Sequence, residues 1–264
     1  MMINQSLDHG LRVLLLYDNE NPSFAVAEIS RRLGFNQSKT YRLIRTLVRS
    51  GLVQEKPGTA RYSLGMSALR IGLLAQQNFD LPAMARPLME ELSRQTKETV
   101  LLTAVYGTRG ICLERVESEE PIRYSLFKPG ATFPLHCGAS SKVLMAHLPE
   151  EDWEEIIARE GLKRYTPHTI TEPEKLKTHL REIRKKGYAY SDQEIDRDVR
   201  AVAAPILNGR DDLVAALSVA GPAYRIKQKQ VGSLARLIRK YAEQISASLG
   251  HISGVKTRRA DNNE

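Results

Sequence analysis

The chain has 264 residues, 42% of them hydrophobic and 27% charged, with a formal net charge of +8; this is the make-up of a globular protein long enough for two domains, not of a disordered or fibrous one. Residues 1–72 hold ten Lys and Arg against five Asp and Glu, and residues 73–264 hold 29 against 26, so a polyanionic partner is expected for the N-terminal part. Two cysteines, Cys112 and Cys137, are too few for a disulfide framework or a multi-ligand zinc finger, and no apolar run of about 18 residues is available to span a membrane.

The first apolar run, Val13 to Leu16, is too short for a signal-peptide core, so a cytoplasmic protein with no membrane partner is expected. Leu7, Leu11, Leu14 and Leu15 have the spacing of a helix that packs behind the next two, and the cluster Asn19 to Ser23 ends it. Val26, Ile29 and Leu33 give the inward stripe of a second helix, which Gly34 closes and after which Asn36 caps a third. In that third helix Thr40, Leu43, Ile44 and Leu47 point inward. Gln37, Ser38, Lys39, Tyr41, Arg42, Arg45 and Arg49 are left outside, four cations with no carboxylate.

Such a division suits a helix that reads DNA. Ser38, Lys39 and Arg42 are the candidates for base edges, with Gln37 and Tyr41 beside them, and Arg45, Arg49 and Arg61 for phosphates. LVQEK and RYSL, joined through Pro57, Gly58 and Thr59, alternate as the two strands of a wing that also carries Lys56. The competing reading is a generic basic helical hairpin, against which composition, turn chemistry and the hairpin agree independently.

Leu64 to Gln77 reads as a connecting helix, and a second domain begins with Asp80 as an N-cap, Pro82 near the helix start, and Met84, Leu88 and Leu92 on one face. TVLLTAVYG and GICLERVES read as a hairpin turning at Thr108 and Arg109, with IRYSLF (122–127) as a third strand. Helices are expected over 139–148, 150–159 and 172–186. The strands YAYSD, RAVAAPIL and LVAALSVAG come next, the last two joined at Asn208, Gly209 and Arg210, and then a final helix over 228–249. Paired strands with helices gathered between and after them predict an α+β domain, an antiparallel sheet with helices covering a face. The expected boundaries are a winged helix-turn-helix at 1–64, a linker helix at 65–79, a second domain at 80–252 and a disordered tail at 253–264.

With these motifs in order, the chain resembles the IclR family of bacterial transcriptional regulators from about Leu7 to Ile252. ISRRLGFNQSKTYRLIRTLVRSGLV is similar to that family's helix-turn-helix, RYSLGMSALRIG to its wing and linker helix, FPLHCGASSKVLMAHL to the loop and helix beside its effector pocket, and the stretch from Gly187 to Ile226 to its C-terminal signature. The resemblance implies a homodimer or dimer of dimers, an operator of double-stranded DNA, and a GAF-like domain that binds a small metabolite. Carried over by position, the pocket would involve Ile122, Ser125, Phe133, Ala139, Ser140, Ser191, Val199, Ala201, Ser218 and Ala220. Family members carry an acidic residue where this chain has Ser191, Gly where it has Asp198, Cys where it has Ala201 and Ser where it has Ala220, so the implied lining is less acidic and less polar.

The run Cys137 to Ser141 supports a ligand site on physical grounds as well. Its small side chains let a ligand approach the backbone, and it opens a helix whose free N–H groups favour an anion. The expected effector is a small organic acid gripped there, with Ser218 and Ser191 as polar contacts and Phe133 and Ile122 as an apolar wall. The competing reading makes Ser140 and Ser141 mere caps and Gly138 a packing residue. His136 and Cys137 alternate faces on an extended chain, which argues against metal ligation or a Cys nucleophile, and Arg200 is expected to pair with Asp196 or Asp198. The whole reads as a ligand-responsive regulator, repressor or activator, of a near-palindromic operator, with no cofactor, no metal and no catalytic residues. Two alternatives are a constitutive DNA binder whose second domain only oligomerises, and an enzyme tethered to DNA; no nucleophile and base, phosphate loop or metal cluster supports the latter.

Overall fold

Local caps set the first helices. In the computed structural model, which describes residues 4–18, 21–77 and 80–250, α1 (Gln5–Leu14) opens on Asn4, whose side chain accepts the Leu7 amide at 3.1 Å. Helix α2 (Val26–Leu33) closes at Gly34 in the left-handed conformation, φ 68°. Helix α3 (Gln37–Arg49) opens on Asn36, which accepts the Lys39 amide at 2.8 Å. Three short antiparallel strands, β1 (Phe24–Ala25), β2 (Val53–Lys56) and β3 (Arg61–Leu64), lie in the order β1-β3-β2, so the wing takes a third strand from the residues just before α2. Helix α4 (Met66–Gln77) comes after the wing. Val13, Phe24, Ile29, Ile44, Leu47, Val53 and Tyr62 form the core. Truncating one such side chain, as in Ile44→Ala, costs about 2–5 kcal/mol in general.

Helix α1 departs from expectation. Val13 is the residue it buries completely and Leu14 packs at the core's edge, while Leu7, Leu11 and Leu15 are 62, 49 and 70% exposed. The face turned to α3 is the one bearing His9, whose ring stands edge-on to Phe35 at 4.6 Å. The leucines therefore form a second apolar stripe of spacing four on the opposite side. Asn19, Glu20, the side chain of Asp80 and the 253–264 tail lie outside the described residues.

The chain separates into two compact units, one up to Asp80 and one from Leu81 on; the helix expected as a linker falls with the first. In the second unit α5 (Asp80–Thr96) leads into β4 (Thr99–Tyr106), β5 (Arg109–Val116) and β6 (Thr132–Pro134). Then come α6 (Ala139–His147), α7 (Glu150–Glu160), α8 (Pro173–Lys186), β7 (Ala189–Asp192), β8 (Val199–Leu207), β9 (Leu213–Pro222) and α9 (Val231–Ser248). The six strands form one antiparallel sheet in the order β6-β5-β4-β9-β8-β7.

Both faces of this sheet are covered, rather than one. Alternate residues such as Val100, Leu102, Val202, Ala204, Leu217 and Val219 pack with α5 and α9, and the intervening Leu101, Ala203, Ala216 and Ala220 pack with α6, α7 and α8. Helix α5 buries Leu81, Ala85, Met89 and Leu92, with Leu88 at the edge.

Two local expectations are corrected. The β4–β5 turn falls on Gly107 and Thr108, because Arg109 already pairs with Tyr106. Residues 122–127 form no strand but an irregular strap. Its carbonyls are taken by side chains instead of a ladder: Tyr124 O accepts the Thr99 hydroxyl at 2.9 Å, and Arg115 Nη1 donates to Ser125 O at 2.9 Å and Phe127 O at 3.4 Å. The residues that do pair beside β5 are Thr132–Pro134.

Candidate functional site

Helix α3 presents Gln37, Ser38, Tyr41, Arg42, Arg45 and Arg49 to the exterior, all exposed, over an inner face of Thr40, Ile44 and Leu47. Thr40 donates its hydroxyl to Asn36 O at 3.0 Å, which fixes the first turn of the helix from inside. Lys39 is half-buried and leans back: its Nζ lies 4.3 Å from the Phe35 ring centroid and 3.4 Å from His9 Nε2. Arg61 is also engaged within its own unit. Its Nη2 donates to Ser23 O at 2.7 Å and pairs with Glu28 at 2.9 Å, and its Nε donates to the Ser23 hydroxyl at 3.2 Å. The exposed cations of the face are thus Arg42, Arg45 and Arg49, with Lys56 exposed on the wing.

The second unit holds a partly open cavity of about 30 Å³. Strand register builds its floor: Ser191, Ala201 and Ala220 stand side by side across β7, β8 and β9, and Ala203, Ser218 and Leu101 make the next row across β8, β9 and β4. The small side chains of Ser191, Ala201, Ala220 and Ser218 leave the space open. The wall is the first turn of α6, from Gly138 to Ser141. Gly138 has φ 89°, and a Cβ there would come within 2.5 Å of the Ile195 Cδ1, so glycine is needed both for the backbone and for the contact. Tyr124 and Phe127 of the strap, with Ile195, Asp196 and Val199, complete the enclosure. Ser218 is 1% exposed and its hydroxyl has no hydrogen-bond partner among the described residues, a polar group awaiting a partner in the cavity it lines.

The charges beside this turn are paired. Glu194 accepts the Gly138 amide at 3.1 Å and forms an ion pair with Lys142, which is fully buried. Burial pushes the Cys112 and Cys137 thiols up to about 12, so both remain protonated and unreactive at neutral pH. His136 hydrogen-bonds through Nε2 to Lys163 O at 3.0 Å, and burial lowers its pKa. No group of three or more His, Cys, Asp or Glu positioned to hold a metal occurs among the described residues. Arg200 pairs with Asp192, its register partner across β7 and β8, at 2.7 Å, not with Asp196 or Asp198, and donates to Ala223 O and Ile226 O at 3.1 Å each.

Comparison with known proteins decides what this pair of sites belongs to. Residues 6–57 match the model of the IclR helix-turn-helix domain, and residues 74–247 match that of the bacterial transcriptional regulator IclR C-terminal domain. The chain belongs to the IclR family. The acetate operon repressor of Salmonella typhimurium is 30% identical over 248 residues, 93% of this chain and 90% of that one. The regulator XynR of Escherichia coli is 29% identical over 252 residues, 95% and 99% of the two chains. The IclR transcriptional regulator of Alicyclobacillus acidocaldarius superposes with a TM-score of 0.80 at 30% identity, covering 93% of this chain and 99% of that one. An IclR homologue from Microbacterium hydrocarbonoxydans, complexed with 4-hydroxybenzoate, superposes at 0.78 with 25% identity, covering 92% and 98%. The chain is a DNA-binding transcriptional regulator with a ligand-binding C-terminal domain, and its relatives are regulators, not enzymes.

Of the positions carried over from the IclR family, Ala139, Ser140, Ser191, Val199, Ala201, Ser218 and Ala220 line the cavity. Phe133 is buried behind it, against Phe127, with ring centroids 4.8 Å apart. Ile122 is 64% exposed and Ser125 is exposed; both lie on the strap, outside the enclosure, because the strap is not a strand of the sheet. Leu101, Tyr124, Phe127, Ile195 and Asp196 line the cavity too, beyond the residues that the sequence pointed to. Leu101 had a legible signal, since it shares the face of Thr99 and Thr103 in a segment that reads as a strand.

Proposed function

We propose that this IclR-family regulator binds a near-palindromic operator as a homodimer, alone or paired into a dimer of dimers, and that a small carboxylic acid in the C-terminal cavity sets its affinity for DNA. The observation that carries the ligand reading is the enclosure itself. The first turn of α6, with its free amides, and the unpaired Ser218 hydroxyl line one cavity, whose other polar side chains are Ser140, Ser141, Ser191 and Asp196. The relative that holds 4-hydroxybenzoate supports a ligand with one carboxylate and one hydroxyl. A volume of about 30 Å³ is the space of one or two waters, so an acid of that size enters only as the enclosure expands. The exposed leucine stripe of α1 and the exposed Met66, Leu69 and Leu73 of α4 support a second copy as partner, since apolar stripes of spacing three and four are what helix pairing uses. A ligand can change DNA affinity only by favouring one arrangement of the two units, and α4 is the element through which we infer this acts. Among the described residues no helix is long and apolar enough to cross a membrane, and the cytoplasm is the expected compartment.

On the DNA side, Arg42 near the start of α3 is assigned to base edges and Arg45 and Arg49 to phosphates. Quantitative gel shifts on operator and random DNA separate the two roles. Arg42→Ala should cost about 1–3 kcal/mol on the operator with little change on random DNA, whereas Arg45→Ala should weaken both and lower the salt slope by about 1. Equal losses on both DNAs for Arg42→Ala would move it to the phosphate class. The same assay with a panel of small acids reads the ligand response; operator affinity unmoved by any of them, with no thermal shift, would favour a constitutive binder.

A further inference from the structure

The turn between β7 and β8 runs from Gln193 to Asp198, both at positive φ, 59° and 65°. Non-glycine residues hold that conformation only where their surroundings impose it. Gln193 N donates to Val199 O at 2.9 Å, and Asp198 N to Gln193 Oε1 at 3.1 Å. The centre of the turn faces inward. Ile195 fills the space above Gly138, and the Glu194 carboxylate takes the Gly138 amide while pairing with Lys142. The Lys142 ammonium also contacts His179 Nε2 at 3.1 Å and Tyr190 O at 3.2 Å, and the Thr169 hydroxyl fixes Glu194 O at 2.6 Å.

An internal carboxylate therefore occupies part of the anion seat at the α6 N-terminus. Lys142 N to Gly138 O, at 3.1 Å, is the first bond of the helix, which leaves the amides of Ala139, Ser140 and Ser141 ahead of it, on residues that line the cavity together with Ser218. We propose that Glu194 and Ile195 determine the ligand specificity of this site, Ile195 as a plug that limits size and Glu194 as a tethered carboxylate, held by Lys142, that competes with the ligand's own for the helix N-terminus. This rests on the reading of the ligand as a carboxylic acid. The admitted class is then a monocarboxylate with a hydroxyl or oxo group placed for Ser218. A second carboxylate is rejected, because Asp196 also lines the cavity and no Lys or Arg does among the described residues.

The test is calorimetry of the full-length protein with 4-hydroxybenzoate and its uncharged counterpart 4-hydroxybenzamide. Glu194→Gln should raise the affinity for the acid by about tenfold relative to the amide, and Ile195→Ala should raise both by about tenfold. Acid binding to the wild type with no relative gain in Glu194→Gln overturns the competition; equal binding of acid and amide to every variant overturns the carboxylic-acid reading beneath it. Should neither compound bind, exchange of the Gly138 amide hydrogen decides. The paired variant Lys142→Met, Glu194→Ala, which strands no buried charge, should speed that exchange by about tenfold or more relative to the wild type. Unchanged exchange removes Glu194 from the α6 N-terminus and overturns the proposal.

Discussion

Arg61 shows how a residue's neighbours outrank its position. It stands on the wing, where sequence suggests a phosphate contact, yet its guanidinium joins β3 to the start of α2 through Ser23 and Glu28. The Ala25 amide, at 2.8 Å, and then Arg61 hold the Glu28 carboxyl below the usual carboxylate range. The groups are part-exposed, so the pair is worth little as an ion pair; what Arg61 adds is the geometry of three donors converging on one corner. Arg61→Ala should therefore lower the melting temperature of the first unit by about 2–4 °C and leave the salt slope of DNA binding unchanged. Thermal unfolding and a salt titration of operator affinity check this. A drop of the slope by about 1, the mark of a lost phosphate contact, would return Arg61 to the DNA face. Arg200 behaves in the same way, holding Asp192 and two backbone carbonyls at the mouth of the turn before β8.

At the scale of elements, α1 carries two apolar faces, and among the described residues of the first unit only one is covered. Leu11→Glu puts a charge in the middle of the exposed stripe without touching the face that buries Val13, so the monomer fold should persist. Sedimentation of the full chain should show a weaker dimer, and affinity for a two-half-site operator should fall about tenfold or more while half-site binding stays unchanged. Unaltered mass and operator affinity would mean that the stripe is not an interface. That second face also marks the limit of what the sequence discloses. The helix-turn-helix was legible because Gly34, Asn36 and the Thr40, Ile44, Leu47 stripe are local signals, each fixed within a turn or two of chain. The cavity floor was legible by another route, since Ser191, Ala201, Ser218 and Ala220 came from the resemblance to the IclR family and fall in segments that read as strands. The strap at 122–127 was not, since its β-rich composition concealed that side chains of β4 and β5, Thr99 and Arg115, take its carbonyls. Glu194 and Ile195 escaped for a similar reason. They lie in an irregular turn whose inward aim depends on Lys142 and Gly138, some 50 residues earlier in the sequence.

For the molecule as a whole, the second unit holds three histidines whose pKa values burial lowers from 6.5: His136 just before α6, His147 in α6 and His179 in α8, the last pushed further by the Lys142 ammonium. A base whose folded pKa lies below its unfolded value takes up its proton more readily when unfolded. Stability is therefore full above pH 6.5 and is lost as pH falls from there toward the folded values. The carboxylates with lowered values, such as Glu150, Glu174 and Glu182, start from 4.5, so the window from pH 6.5 to about 4.5 belongs mainly to the histidines. Each titrating histidine adds a slope of at most about 1.4 kcal/mol per pH unit, and three together at most about 4. Trp153, the single tryptophan and fully buried in this unit, gives the probe. Urea unfolding followed by its fluorescence should show a midpoint that falls steadily from pH 6.5 to 4.5 with an unchanged m-value. His179→Gln should remove part of that slope, because the amide has no proton to gain beside Lys142. A midpoint flat across the window, or a slope indifferent to His179, would show that these imidazoles titrate in the folded protein as they do in the unfolded chain.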